Sequence, residues 1–497
     1  MPAGTKRRPM RGALWSMINR LHTSKYDDRL VQLFAGSTME ISKQANIGQL
    51  LAEDGNAERV GTIALRYGLE DKPSAIEAML YGAQHVLIMF SAMVASPLVI
   101  GQLLNLPPEL RAALITGVML GCGIGTLISS LGVGWVGARL PLLLGAYTVY
   151  IVPVVQIAKT ESLGAATGAL LIGAIALLVI SPIVGKVRAL FPPIVVGSLL
   201  IVTGLALIKI AMNVAFGANT PYFGQPITVV FLLASIILIT VIAALGNRVV
   251  RSFSVLIALV GVYIAGFFSG LDNFTNLVAA PWFRVPSLLP YGISWPSVGG
   301  LTSIIIYQVV AAIYTMSITI ALCVMIQVEP TERRIRGAIA GDGLGSMIAV
   351  IFGGVPLISY DQNVGAISLT GVASRYVVAI SGLILVCVAF LPKVGAAVGV
   401  IQPFMLGGTL VFMFGMIVVV GIRIVSQSLE EQRDTLIAAA SVGLSTVVNL
   451  APAQVFEVFP AAIRILAADG IVVGIVVAVL LNMILPSEKR VQNEAKS

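Results

Sequence analysis

The stretch Asp361–Gly371, DQNVGAISLTG, sets polar side chains and two glycines inside a chain that is apolar over most of its length. Such a sequence at membrane depth is tolerated only where its backbone is buried in protein or lines a water-filled cavity. We therefore expect this stretch to form a substrate site, and the chain to be a transporter.

The composition is that of a polytopic membrane protein. Of 497 residues, 57% are hydrophobic and 11% are charged, and the mean hydropathy is +0.97, whereas a soluble domain carries about 25% charged residues. From about residue 79 to 485 the chain divides into about fourteen apolar segments, which predicts an all-α polytopic fold. Windows that lack charge and are long enough for a span are Ala112–Ala138, Ile210–Asn247, Val285–Val328 and Val394–Ile422.

Several classes of site are excluded by what the sequence lacks. Cys122, Cys323 and Cys387 lie in apolar stretches without metal-ligand spacing, so we interpret them as packing residues. Only two histidines are present, which excludes a histidine-rich metal site. No hydrolase triad, phosphate loop or dinucleotide fingerprint stands in the context that it requires. We expect neither an enzyme nor a bound cofactor or metal.

The net charge of +8 is better explained by membrane topology than by nucleic-acid binding. Basic residues concentrate in alternate loops, as expected if these loops are cytoplasmic. The residues assigned to this side are Arg139, Lys186, Arg188, Arg248, Arg251, Arg333, Arg334, Arg336, Arg375, Arg423, Arg433, Lys489 and Arg490. Those assigned to the opposite side are Arg111, Lys159, Lys209 and Arg284. We expect an inner-membrane protein with both termini in the cytoplasm.

Residues 1–75 form a separate, basic region. Basic residues precede its first acid, Asp27, and no continuous apolar run leads to a cleavage site, so we expect a retained cytoplasmic extension and no signal peptide. The stretch Trp15–Phe34 suits either a basic amphipathic helix on anionic lipid or a solvated tail. His22 belongs to no recognisable group of site residues.

Two of the apolar segments are interrupted. Pro141–Tyr150 mixes Pro and Gly with β-favouring Tyr, Thr and Val, and the segment around Gln362 does likewise. They are about the third and the tenth span, which correspond if the chain consists of two inverted halves of seven, and paired interruptions indicate a midplane binding site. Amino termini of half-helices present free N–H groups to a substrate there. We expect Asn363 to cap such a half-helix over Val364–Thr370.

The stretch Gln362–Gly371 resembles the signature of the nucleobase–ascorbate transporters, also called nucleobase:cation symporter-2. That signature begins with Gln, Glu or Pro, followed by Asn, one residue of any type and Gly. Four residues of any type, a Thr, and finally Arg, Lys or Gly complete it. The resemblance covers the chain from about Tyr67 to Pro486. Other stretches that resemble elements of this family are Gln84–Leu87, Phe191–Gly197, Gly204–Leu205, Gly341–Ser346, Leu391–Lys393, Gly407–Gly408, Phe414–Ile417 and Gly421–Arg423.

The resemblance implies fourteen spans in two inverted seven-span repeats, with short β-strands and half-helices in spans three and ten. It implies a core domain at 76–190 and 299–392, a gate domain at 191–298 and 393–486, and a cytoplasmic tail at 487–497. Members commonly dimerise and take up purines or pyrimidines, usually with protons, and Gly371 resembles the xanthine and uric-acid branch. We therefore predict proton-coupled purine import by movement of the core against the gate.

One departure concerns the eighth span, where the family carries a Glu that hydrogen-bonds the base and an Asp four residues later. Tyr314 stands at the Glu position and Ile318 at the Asp position, and no carboxylate occurs in Val285–Val328. A carboxylate accepts two N–H bonds, whereas a phenol offers one donor and a weaker acceptor. The alternative is a small-anion carrier or exchanger on the same fold, because loss of a repelling acid favours anions.

Candidate substrate contacts cluster in the two interrupted segments. Gln362 is the foremost, because its carboxamide has two donors and an acceptor and can pair with a purine edge; a structural glutamine is the alternative. Tyr147 and Tyr150 are interpreted either as stacking on a planar substrate or as packing. The predicted substrate-binding residues are Gln362, Asn363, Gly365, Tyr314, Tyr147 and Ala146.

Candidate residues for proton coupling or core hydrogen bonding are Asp342, Asp361, His85 and Thr370. An acid such as Asp342 in an apolar span costs roughly 2.5 to 3.5 kcal/mol, so it is either a coupling residue or a structural anchor. Asp361 either replaces the missing acceptor or, if it and Gln362 alternate along an extended strand, points away from the substrate. His85 either exchanges protons or orients the core as a neutral group.

Overall fold

The computed structural model describes residues 65–183, 191–218, 220–247, 250–251, 253–271, 275–398, 400, 402–429 and 431–485. The predicted amphipathic stretch Trp15–Phe34, His22, the loop residues Lys186, Arg188 and Arg248, and the tail at 487–497 lie outside these residues. The predictions for them stay predictions.

Helices make up most of the described chain, as its apolar runs predict. They are α1 Ala75–Leu103, α2 Pro108–Leu131, α3 Ile151–Thr160, α4 Leu163–Ile180, α5 Pro193–Ala215, α6 Pro226–Leu245, α7 Ser254–Phe268, α8 Thr275–Ala279, α9 Val298–Met325, α10 Glu332–Ile351, α11 Asp361–Thr370, α12 Arg375–Ala389, α13 Pro392–Val398, α14 Pro403–Ser428, α15 Gln432–Leu450, α16 Ala461–Ala467 and α17 Gly470–Ile484. Between these helices, short 3₁₀ turns lie at Thr148–Tyr150, Ser181–Ile183 and Ala453–Phe456.

Seven of the described helices are long and apolar enough to cross a membrane, namely α1, α2, α4, α5, α6, α9 and α14. Shorter apolar helices, among them α7, α12 and α17, lie between them in the chain. The chain is therefore a multi-pass membrane protein. The number of fourteen spans and their arrangement as inverted repeats stay predictions.

The helices pack as two bundles. The first bundle consists of α1–α4 and α9–α12, and the second of α5–α7, α14, α15 and α17. Each bundle thus takes one set of helices from each half of the chain. The short helix α16 lies between the bundles, where it contacts α9 of the first and α17 of the second.

Small residues allow the helices of the first bundle to approach closely. A Cβ atom on Gly341 of α10 would lie 2.2 Å from the hydroxyl of Ser129 in α2. Glycine at this position therefore permits the two helices to pack closely.

Two three-residue strands join the halves of the first bundle. β1 Leu144–Ala146 pairs antiparallel with β2 Leu357–Ser359, with Leu144 opposite Ser359. β1 leads through a 3₁₀ turn into α3, and β2 leads directly into α11, so each interrupted segment is a strand followed by a half-helix. The strand expected within 141–150 is confirmed, whereas the second strand lies upstream of Gln362, which is already helical.

Candidate functional site

The site is built around the amino terminus of α11. Asp361, Gln362 and Asn363 are its first three residues, and the N-cap residue Tyr360 makes no capping hydrogen bond through its side chain. The first N–H groups of a helix lack intrahelical partners, and this end of the dipole favours negative charge. The predicted capping role of Asn363 is wrong, because Asn363 is the third helical residue. The extended alternation of Asp361 and Gln362 is wrong for the same reason.

Gln362 lies on an open face of α11. Its side chain is exposed, although the strand before it and Asn363 after it are buried. A Cβ atom on Gly365, three residues further on, would meet no atom within 4 Å, and residues three apart share a helix face. On the adjoining helix α9, Tyr314 is half-buried and Ser317, almost one turn later, is exposed. Gln362 is therefore free to contact a solute.

A carboxylate lies next to this open face. The half-buried side chain of Asp361 lies beside the phenol of Tyr314, and Asp361 Oδ1 accepts the N–H of Gln362 at 2.9 Å. Tyr314 in turn stacks on Tyr147, with ring centroids 6.0 Å apart and an interplanar angle of 24°. A carboxylate of α11 thus lies beside Tyr314 of α9, a helix that contains no carboxylate of its own.

Asn363 and His85 hold α11 in place. Asn363 is fully buried; its Nδ2 donates to the Pro141 carbonyl at 2.7 Å and its Oδ1 lies 2.8 Å from His85 Nδ1. Because a carbonyl only accepts, the amide must turn its NH₂ to Pro141, and His85 must donate from Nδ1. His85 Nε2 has no hydrogen-bond partner among the described residues. Both side chains thus fix the position of the half-helix, and the protonation of His85 stays a prediction.

Asp342 anchors strand β2 from α10. Its side chain is buried, with 1% exposed. It accepts the hydroxyl of Thr315 from α9, the N–H of Ser359 at 3.0 Å and the hydroxyl of Ser359 at 2.9 Å. Three donors from two other elements thus converge on one carboxylate. This geometry is that of a structural anchor, the second of the two interpretations drawn from the sequence.

The remaining predicted residues lie in the framework of the site. Ala146 is buried in β1, and its carbonyl accepts the hydroxyl of Tyr360 at 2.7 Å. Thr370 closes α11, because its hydroxyl donates to the Ala366 carbonyl at 3.0 Å and accepts the N–H of Val372 at 3.2 Å. The 3₁₀ residue Tyr150 is fully buried and packs edge-on against Tyr147, with centroids 5.8 Å apart.

Sequence reasoning missed two residues of the site. Ser317 was overlooked although it is a polar residue three positions after Tyr314 in a charge-free window. Ser359, which gives two donors to Asp342, lies two residues before Asp361. The signal for Ser317 is its spacing of three residues from Tyr314 on one helix, and the signal for Ser359 is its position two residues before Asp361.

The chain is similar in sequence to bacterial permeases. The family model Xan_ur_permease, described as a permease family, matches residues 76–454. The uric acid permease PucJ of Bacillus subtilis is 28% identical over 419 residues, which cover 83% of this chain and 93% of that protein. The xanthine permease XanQ of Escherichia coli is 30% identical over 453 residues, which cover 86% of this chain and 95% of that protein.

The fold is similar to that of a solved transporter domain. The transmembrane domain of a cyanobacterium bicarbonate transporter, BicA, superimposes with a TM-score of 0.55 over 78% of this chain and 99% of that domain. Its sequence identity is 15%, so the likeness concerns the fold alone.

Proposed function

This chain belongs to the nucleobase–ascorbate transporter family, whose model matches residues 76–454, and from this membership we propose that it imports a purine of the xanthine or uric-acid type together with protons. The substrates named for its relatives, uric acid and xanthine, support this class. The observation that carries the proposal is the exposed carboxamide of Gln362 at the amino terminus of α11.

The side chains around Gln362 match the edges of an oxidised purine. Such a purine presents N–H donors and C=O acceptors side by side, and the carboxamide of Gln362 can serve one of each. The carboxylate of Asp361 accepts a further N–H, and the amino terminus of α11 favours the carbonyl oxygens. The stacked rings of Tyr147 and Tyr314 supply a flat apolar wall beside these groups.

We assign proton exchange to Asp361 and a structural role to Asp342. A group that exchanges protons with water or substrate needs access to them, and Asp361 is half-buried next to the exposed Gln362. Asp342 is enclosed by three hydrogen-bond donors. Asp361 is therefore both the proton-exchanging residue and a substrate contact, so the proton site lies within the substrate site.

Transport requires the site to face each side of the membrane in turn. We assign the first bundle to the mobile core, at 76–190 and 299–392, and the second to the gate, at 191–298 and 393–486. Because β1, β2, α9 and α11 all belong to the first bundle, the substrate site moves as one unit.

Uptake by cells that lack purine permeases tests this function. We expect saturable uptake of labelled xanthine or uric acid that a protonophore abolishes. Gln362→Ala should lower uptake at least tenfold, which corresponds to about 1.4 kcal/mol of lost binding. The matched control is Gln225→Ala, which removes an exposed carboxamide bonded to the Pro221 carbonyl and should leave uptake unchanged.

The same cells separate the purine permease from an anion carrier. Flux of labelled bicarbonate or sulfate that is indifferent to added purine, with no purine uptake, would overturn the proposal. Normal uptake by Gln362→Ala would leave the purine class standing but reject this glutamine as its contact.

A further inference from the structure

A second buried carboxylate, Asp469, lies where the two bundles meet and takes no part in the site described above. It caps α17 of the second bundle, accepting the N–H groups of Ile471 at 2.9 Å and Val472 at 3.2 Å. It also accepts the hydroxyl of Tyr307, from α9 of the first bundle, at 2.9 and 3.1 Å. Tyr307 and Asp469 are 0% and 1% exposed. The pair is therefore a buried hydrogen-bonded junction between the bundles.

This junction lies toward the amino-terminal end of α9, away from the open face at Gln362. Tyr307 precedes Tyr314 by seven residues, which is about 10 Å along the helix. A second bond links the first bundle to α16, the short helix just before Asp469, since Gln156 Nε2 of α3 donates to the Ile465 carbonyl at 3.0 Å. In the topology predicted from the basic residues, this end of α9 faces the outside.

A line of tyrosine rings connects the substrate site to the junction. Tyr314 stacks on Tyr147 at 6.0 Å, Tyr147 meets Tyr150 at 5.8 Å, and Tyr150 meets Tyr307 at 5.9 Å. Tyr150 and Tyr307 are fully buried, and rings packed in this way have little room to move independently. The position of Tyr307 is thus set by the same rings that line the site.

We propose that the Tyr307–Asp469 pair is an outer latch, which holds the core and gate together on the outside and must open before substrate reaches Gln362 from that side. The proposal rests on the function proposed above, because it supposes that the two bundles move against each other. When the latch opens, Asp469 keeps its two backbone N–H donors, so α17 stays capped and the gate remains intact. Tyr307 and Asp469 are positioning residues and need not touch the substrate.

Labelling of a cysteine at the site from outside the cell tests the latch. Ser317→Cys provides the reporter, in a background where the exposed Cys387 is replaced by Ala, since Cys122 and Cys323 are buried. With the latch intact, a membrane-impermeant maleimide should react slowly from outside. Tyr307→Phe removes only the hydroxyl and should raise the rate about tenfold. The control Tyr291→Phe removes a hydroxyl bonded to the Leu110 carbonyl at 2.8 Å and should not change it.

A double-variant comparison separates a latch from general loosening. Asp469→Asn keeps one acceptor oxygen but loses the charge that strengthens the bond from Tyr307, so it should also raise the labelling rate. Tyr307→Phe with Asp469→Asn should raise it no further than Tyr307→Phe alone, because without the hydroxyl no bond is left to weaken. Equal rates for Tyr307→Phe and Tyr291→Phe, or additive effects of the two latch variants, would overturn the proposal. The labelling readout needs no purine, so failure of the latch is distinct from failure of the Gln362 uptake test.

Discussion

Asp361 and Asp342 are the two acids near the strands, and their surroundings predict different behaviour. Asp361 borders the open face of α11 and meets Tyr314, whereas Asp342 is surrounded by donors from Thr315 and Ser359. We therefore predict that Asp361 exchanges protons near the substrate and that Asp342 has a structural role.

Replacing these acids by their amides separates the two roles. Asp361→Asn keeps the size of the side chain but cannot titrate, so uptake should become independent of external pH and fall about tenfold or more. Asp342→Asn turns an NH₂ group toward existing donors, so it should destabilise the fold by about 1–3 kcal/mol and lower uptake equally at every pH. Uptake over a series of pH values, with thermal stability in detergent, distinguishes the two.

The matched control for this comparison is Asp71→Asn in the segment before α1, where the carboxylate accepts the N–H of Gly68 at 2.7 Å. It should leave both readouts unchanged. Unaltered pH dependence in Asp361→Asn would reject that residue as the proton site.

Individual residues show how far sequence reasoning reaches. Asn363 was expected to cap a half-helix, but it lies in the first turn and bonds His85 and Pro141. A pattern of residue types predicts that a polar group is needed at this depth. It does not reveal that the partners of Asn363 are His85 and Pro141, which lie 278 and 222 positions away along the chain.

At the scale of elements, Gly145 in β1 lies so close to Tyr360, the residue after β2, that a side chain at position 145 has no room. A Cβ atom on Gly145 would lie 2.2 Å from the ring of Tyr360, whose hydroxyl bonds the neighbouring carbonyl of Ala146. Tyr360 is also the N-cap of α11. The tyrosine ring thus sets the distance between the strand pair and the half-helix.

Gly145→Ala should therefore disturb the site without touching any substrate contact. The added methyl group must push the ring of Tyr360 away, and overpacking of this kind costs about 1–3 kcal/mol. We expect a lower thermal midpoint in detergent and loss of most uptake. Gly443→Ala, on α15, meets no atom within 4 Å and serves as the control. Uptake by Gly145→Ala within about twofold of the unsubstituted protein would contradict this account.

Elements with a local cause were predicted better than those without one. The strand in 141–150 is indicated by Pro, Gly and β-favouring residues in one short run, and it is present at Leu144–Ala146. The second strand was expected around Gln362 but lies at Leu357–Ser359, because α11 begins at Asp361. No local feature of the polar stretch distinguishes a strand from the first turn of a helix.

At the scale of the whole molecule, Arg375 joins three segments at one end of the first bundle. Its Nη2 lies 2.8 Å from the carboxylate of Glu70, and its Nη1 donates to the carbonyls of Ser130 and Leu131 at 3.4 Å each. The segment before α1 is thus joined to the end of α2 and the start of α12. The Arg375 hydrogen bond is the main cause that lowers the pKa of Glu70 below its ordinary value of 4.5.

This ion pair makes a small part of the stability depend on pH. A carboxyl whose pKa is lower in the folded state adds stability above its unfolded pKa, and this contribution is lost as the pH falls through the folded-state value. Because the Glu70 side chain is 63% exposed, the pair is worth about 1 kcal/mol or less. Below about pH 4.5, the unsubstituted protein should approach Glu70→Gln in thermal stability. Glu109→Gln, which changes an exposed acid in the first turn of α2, is the control. A difference in thermal stability between the unsubstituted protein and Glu70→Gln that persists in acid would refute this linkage.

The multi-pass class follows from apolar runs that span the chain. The grouping into bundles required the resemblance, because hydropathy alone does not say which helices are neighbours. The homodimer and the orientation of the termini stay predictions.

The pairing of β1 with β2 also bears on biosynthesis. Leu144 and Ser359 are 215 positions apart (359 − 144), so the ribosome has completed more than two thirds of the polypeptide before β1 can pair with β2. Until then the backbone groups of β1 that pair with β2 would be costly to expose to hydrocarbon. The strand pair beside α11 therefore forms only after both halves of the chain have been made.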